Sequence, residues 1–143
     1  MTRLSLIAAT LTLLATPTLA DPAAEAAATR AEVKATMGFV PTFVSQFADA
    51  ATPGLWLQAK QLTFGEDTAL DAKTKALISL AVAAQIPCEY CVVSDTADAR
   101  RFGATDQQIA EAVAVAGFTR NLSTQFYGLQ VDMGTFRTEM VGE

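Results

Sequence analysis

The chain has 143 residues, is 51% hydrophobic, and carries 15 acidic against 10 basic residues for a formal net charge of −5. That length suits one domain with a real core, and the acidic balance makes the chain a poor candidate for binding nucleic acid or an anionic membrane surface. There is no histidine, which removes the commonest general base and the commonest metal ligand together.

Residues 1–20 read MTRLSLIAATLTLLATPTLA. Arg3 and the amino terminus supply positive charge, Leu4 to Leu14 form an apolar run, and Thr18-Leu19-Ala20 puts small residues at −3 and −1. This is a signal-peptide pattern, too short for a comfortable membrane span. An uncleaved N-terminal anchor is the competing reading. Cleavage after Ala20 would remove Arg3, take the net charge from −5 to −6, and leave a periplasmic or secreted protein with no stable membrane insertion. In such a compartment two nearby cysteines are expected as a disulfide.

Helix signals fill the rest. Asp21 and Pro22 open a helical arm over 21–38 that Gly38 stops, and the main helical domain is expected over 39–143. Phe39, Phe43 and Phe47 are four apart, as on one face of a helix. Packing in a core or subunit interface is the plainer reading of that face and of Trp56, a pocket lining the sharper one. After an expected turn at Pro53-Gly54, a helix carries Leu55, Trp56 and Leu62 toward an apolar side, and Gly65 to Leu70 read as a loop. Asp71 caps a helix to Gln85 whose stripe of Leu77, Ile78, Ala81 and Val82 is broad enough to be covered by both neighbours.

The segment IPCEYCVVSDT, residues 86–96, holds both cysteines. Pro87 fits the first turn of a helix from about Cys88 to Phe102, closed by Gly103. Thr105 and Gln108 have capping-box spacing, with Ile109, Val113 and Ala116 continuing the face. RNLSTQFYGLQ reads as a turn and a short helix, and Asp132 as the cap of a last one. The fold class is all-α.

Residues three apart on a helix share a face, so Cys88 and Cys91 can close a small disulfide or present two thiols. A helix N-terminus favours a thiolate, but Asp95, four residues past Cys91 on the same face, disfavours one at Cys91. Local charge therefore makes Cys88 the more ionised thiol. Two cysteines and no histidine supply too few soft ligands for zinc within one chain, and no cofactor is called for. A four-residue disulfide ring restrains the unfolded chain little, which favours a redox pair over a structural staple. Tyr90, between the cysteines, fits packing or an interface better than a site mouth. Arg120 fits a helix cap or subunit contact better than a partner for Asp95.

Residues 73–124, KTKALISLAVAAQIPCEYCVVSDTADARRFGATDQQIAEAVAVAGFTRNLST, resemble the alkylhydroperoxidase D-like and carboxymuconolactone decarboxylase family. The helix, the Cys-x-x-Cys, the Gly-Ala-Thr-Asp turn and the helix after it fall in the family's order; MGFVP and PGLWLQAKQL upstream also match one branch. The resemblance implies an all-α helical fold, a homo-oligomer built on trimers (a trimer or hexamer), and a redox-active pair in which Cys91 is the nucleophile and Cys88 resolves the disulfide. It also implies a histidine where this chain has Asp95 and a glutamate where it has Ala76. Asp95 is the remaining relay candidate. Its ordinary pKa lies about 4.6 units below a thiol's, roughly 6 kcal/mol against full proton transfer. The expectation is an exported thiol-dependent oxidoreductase, peroxidase-like or exchanging disulfides, with a peroxide or disulfide substrate and a thiol reductant protein. Its alternatives are a non-catalytic helical oligomer with a structural disulfide, or a decarboxylase-like lactone enzyme.

Overall fold

The computed structural model describes residues 21–65 and 67–142; the signal-peptide reading over 1–20 lies outside them. Every regular element among the described residues is helical, as the all-α reading expects. No described helix is long and apolar enough to cross a membrane. The chain divides into two compact units, one ending at Trp56 and the next beginning at Leu57.

In the first unit α1 runs Pro22–Met37. Asp21 caps it by accepting the Ala23 N–H at 3.0 Å, and Gly38 ends it at φ 84°, where its N–H reaches the Lys34 carbonyl. Ala26, Thr29 and Val33 are its buried residues, and Arg30 bonds Asp49 at 2.6 Å. The expected helical phenylalanine face is absent. Only a 3-10 turn, Thr42–Gln46, forms there, because Pro41 holds an extended conformation just before it. Phe43 and Phe47 still meet edge to face at 5.7 Å, while Phe39, Phe43 and Phe47 remain exposed and Trp56 is buried. The expected turn at Pro53-Gly54 is instead the start of α2, Thr52–Ala59. A proline in a first turn forfeits no helical hydrogen bond.

In the second unit the chain widens into a π-helical turn, Lys60–Phe64, before Gly65. A Cβ on Gly65 would collide with the Gln61 carbonyl oxygen, and the Gly65 carbonyl accepts from Lys75 Nζ at 3.1 Å. α3 spans Ala72–Gln85, capped by Asp71 through the Thr74 N–H at 2.7 Å. α4 spans Glu89–Arg101. Their three-residue connection makes an αα-hairpin, and α3 packs on both α4 and α5. The centre is a seam of small residues, Ala76, Ala99 and Ala104, with Leu77, Phe102 and Ile109 against it. Leu80 and Ala83 of α3 are also buried.

α5 is one continuous helix, Asp106–Gly128, which corrects the expected break at RNLSTQFYG. Its capping box is complete: Thr105 Oγ1 accepts the Gln108 N–H at 3.1 Å and Gln108 Oε1 accepts the Thr105 N–H at 3.0 Å. α6, Met133–Val141, is capped by Asp132 through the Thr135 N–H at 2.8 Å. The stripe on α3 is covered on one side only, since Ile78 and Val82 stay half exposed. Thr105→Ala should lower unfolding free energy by about 1 kcal/mol, through loss of the N-cap acceptor; urea titration should show the midpoint falling at an unchanged slope.

Candidate functional site

The site begins where α3 ends. The Ile86 N–H reaches the Val82 carbonyl and the Cys88 N–H reaches the Ala83 carbonyl at 3.1 Å. That second bond commits the Cys88 backbone to the turn and makes Cys88 the N-cap of α4, with φ −90° and ψ 93°. Pro87 consequently lies before the cap rather than in the first helical turn, a one-residue correction to the expected start. Cys88 Sγ accepts the Cys91 N–H at 3.3 Å, occupying the place where serine or aspartate normally caps a helix.

Cys88 and Cys91 are joined as a disulfide, with Cα atoms 5.2 Å apart. Both are half-buried. Tyr90 between them is 90% exposed, so its ring packs into no core of this chain.

Asp95 stands one helical turn beyond Cys91 and is half-buried. Its Oδ2 accepts a 2.7 Å hydrogen bond from Ser79 Oγ of α3. Arg120 does not reach it. Its guanidinium donates to Gln85 Oε1 at 2.8 Å and to the Gln85 carbonyl at 3.2 Å, and Gln85 Nε2 donates to the Ala116 carbonyl at 2.7 Å. Arg120 thus caps the C-terminal end of α3, where a cation suits the helix dipole.

Ala76 is buried in the alanine seam. Ala76, Ser79, Asp95 and Asp98 line one cavity of about 390 Å³, with Lys75 and Phe102. Lys75 Nζ is directed elsewhere, to the Gly65 carbonyl and to Thr68 Oγ1 at 2.7 Å. Asp98 pairs with Arg101 at 2.9 Å. Burial pushes its carboxyl above the ordinary aspartate value, Arg101 opposes that, and neighbouring Asp95 adds to it. Among the described residues no group of three His, Cys, Asp or Glu side chains is placed to hold a metal.

Cys88, Cys91 and Asp95 therefore share the N-terminal half of α4, as their spacing requires. Ser79 is the residue that sequence reasoning missed. It lies three residues after Ala76 on α3, the position the resemblance marks, and that offset was the available signal. A separate apolar groove of about 690 Å³ lies along α3 and α5, lined by Leu77, Ile78, Val82 and Val115, with Gln85 and Arg120.

A family model described as CMD, the carboxymuconolactone decarboxylase family, matches residues 50–131. The chain is similar to uncharacterized protein 4 in the cox locus of Paracoccus denitrificans, 41% identical over 73 residues, which cover 51% of this chain and 65% of that one. It is also similar to an uncharacterized protein of Cupriavidus necator, 42% identical over 50 residues, 35% of this chain and 44% of that one. The chain thus spans less than two thirds of the length of these curated relatives. Among solved structures, the alkylhydroperoxidase AhpD core from Rhodospirillum rubrum matches with a TM-score of 0.67 at 32% identity, over 77% of this chain and 83% of that one.

Asp98→Asn should reveal the cost of the half-buried carboxylate. A carboxyl whose folded pKa is raised destabilises above that pKa and costs nothing below the unfolded one. Thermal melts should therefore show the variant gaining on wild type near pH 7, with the gain closing as pH falls below the ordinary carboxylate range.

Proposed function

We propose that this chain, which belongs to the carboxymuconolactone decarboxylase family, is an exported thiol-dependent oxidoreductase working through Cys88 and Cys91. The observation that carries the reading is the disulfide itself: two half-exposed sulfurs at the start of α4, one at the cap and one in the first turn. A disulfide over so short a ring restrains the unfolded chain little, yet its position at the start of α4 gives the Cys88 sulfur a backbone N–H donor. Likeness to an alkylhydroperoxidase core supports the same chemistry.

In the reduced state one thiolate attacks a peroxide oxygen or a substrate disulfide sulfur. With a peroxide, an S–O bond forms, the O–O bond breaks, and the leaving alkoxide takes a proton. The second thiol then displaces water from the sulfenic acid and the Cys88–Cys91 disulfide returns. A dithiol reductant protein restores both thiols by exchange. No imidazole serves the proton steps, and Ala76 offers no carboxylate, so disulfide exchange suits the site better than fast peroxide reduction. Export rests on the leader-like residues 1–20; the mature N-terminus, read by mass spectrometry of the secreted or periplasmic protein, should be Asp21.

Peroxide-dependent turnover with dithiothreitol as reductant tests the activity. Wild type should cycle, and Cys88→Ser and Cys91→Ser should both fall to the uncatalysed background. Equal rates in all three would remove the enzymatic reading. A second reading, a binding scaffold with a structural disulfide, is favoured by Ala76 and Asp95 standing at both relay positions. It requires a reduction potential below about −300 mV and no exchange with small thiols.

The open apolar faces support a homo-oligomer, a trimer or hexamer. Val82 and Val115 line the same groove and are 53% and 64% exposed. Charging both, Val82→Glu with Val115→Glu, should convert the assembly to monomer in light scattering while far-ultraviolet dichroism stays helical.

A further inference from the structure

Beyond the proposed redox activity, on which it rests, the site contains an order of attack. We infer that Cys88 is the thiol through which the pair enters each exchange, and that the Ser79–Asp95 hydrogen bond holds a carboxylate one turn beyond Cys91 so that Cys91 stays the resolving thiol.

Two independent features point the same way. The first is at Cys88. Its sulfur already accepts the Cys91 N–H at 3.3 Å, so when the disulfide opens, an anion there inherits a backbone donor and the positive end of a 13-residue helix. Cys91 lies inside the first turn, where its own N–H serves Cys88 rather than itself.

The second is across the α3–α4 seam. Side chains four apart on a helix are neighbours, with Cβ atoms about 6 Å apart, so Asp95 projects beside Cys91. Ser79 Oγ donates to Asp95 Oδ2 at 2.7 Å, which fixes the carboxylate against α3. The charged groups that share its cavity do not cancel it. From α3, Lys75 is turned to Gly65 and Thr68. From α4, Asp98 is a second acid, paired with Arg101. The π turn contributes Leu62 and Thr63, neither charged, and α5 contributes no lining residue. Glu89, in the first turn of α4, adds a further acid near the pair. Arg120 is held by Gln85. An anion so placed opposes a second anion on Cys91.

The exchange then runs in one order. Cys88 thiolate attacks one sulfur of a substrate disulfide; the new S–S bond forms as the substrate's S–S bond breaks and its far sulfur leaves as a thiolate. Cys91, losing its proton to solvent, attacks the Cys88 sulfur of the mixed disulfide. The Cys88–Cys91 bond forms and the second substrate thiolate departs. The substrate gains two electrons and the pair loses two, which a dithiol reductant returns.

The test reads each thiol by itself in the full chain. Iodoacetamide alkylation is followed against pH by mass spectrometry, for Cys88 in the Cys91→Ser variant and for Cys91 in Cys88→Ser. The Cys88 midpoint should lie lower. Adding Asp95→Asn to Cys88→Ser should lower the Cys91 midpoint by about one unit. Ser79→Ala should shift it the same way by less, and Ser79→Thr should restore it. At pH 7 the aromatic disulfide 5,5′-dithiobis(2-nitrobenzoate) should label Cys88 about tenfold faster than Cys91, following the thiolate fractions. Melting curves exclude variants that fail to fold; the two single cysteine variants alone still decide the order. A lower midpoint at Cys91, or no movement on Asp95→Asn, overturns the inference and leaves the redox activity standing. Two thiols inert to both reagents and to peroxide end the inference and the activity together.

Discussion

The close approach of α3 and α4 is the constraint from which the site follows. Ala76, Ala99 and Ala104 form the packed centre, and small side chains let two helix backbones draw near with little rotamer entropy lost. The three-residue turn between them is short enough that the Cys88 N–H closes on the Ala83 carbonyl. Everything chemical depends on that closure. It makes a cysteine the cap of α4, sets its partner in the first turn, and brings Ser79 of one helix against Asp95 of the other. A bulkier residue at the seam would separate the helices, and the pair would lose both its capped geometry and its polar neighbour.

Caps and stops were readable because they are local. Asp21, Asp71, Thr105 with Gln108, and Asp132 each satisfy N–H groups within three residues of themselves, so the evidence for them sits in a short window. The continuation of α5 was not readable in this way. Its stretch RNLSTQFYG is rich in residues that favour turns. Within the helix the turn-favouring side chains find partners along it rather than opening a turn: Thr124 Oγ1 donates to the Arg120 carbonyl and Gln125 Nε2 to Asn121 Oδ1. Arg120, expected near a turn, holds the end of α3 across a separation of 35 residues. The phenylalanine spacing misled for the opposite reason. A period of four is a helical signal, yet Pro41 leaves only one 3-10 turn beneath it.

The cysteine pair and Asp95 could be placed together from spacing alone, because one helix carries all three. The offset of Ser79 from Ala76 was readable, but its pairing with Asp95, 16 residues away on another helix, was not. The apolar stripe of α3 was legible as apolar, but not which part of it this chain leaves bare. Periodicity gives the direction of a face and says nothing of how many neighbours cover it. Ile78 and Val82 remain open while Ala76, Leu80 and Ala83 are enclosed.

The glutamate and histidine that the resemblance implies at positions 76 and 95 are linked physically. A glutamate at position 76 would sit in the alanine seam, where a carboxylate needs a cation or several donors to offset its burial. An imidazole at position 95 would be such a partner. Replace that imidazole with the Asp95 carboxylate, and an acid at 76 would face a like charge across a cavity already holding Asp98. Alanine removes the conflict, and Ser79 supplies the hydrogen bond that Asp95 still requires. The same exchange reverses the electrostatics at the sulfurs. A cationic or neutral base beside Cys91 favours its thiolate, whereas an anion there leaves the helix cap as the better seat for negative charge. On the order of attack inferred above, the sulfur best suited to attack is then the one at the cap rather than the one in the first turn.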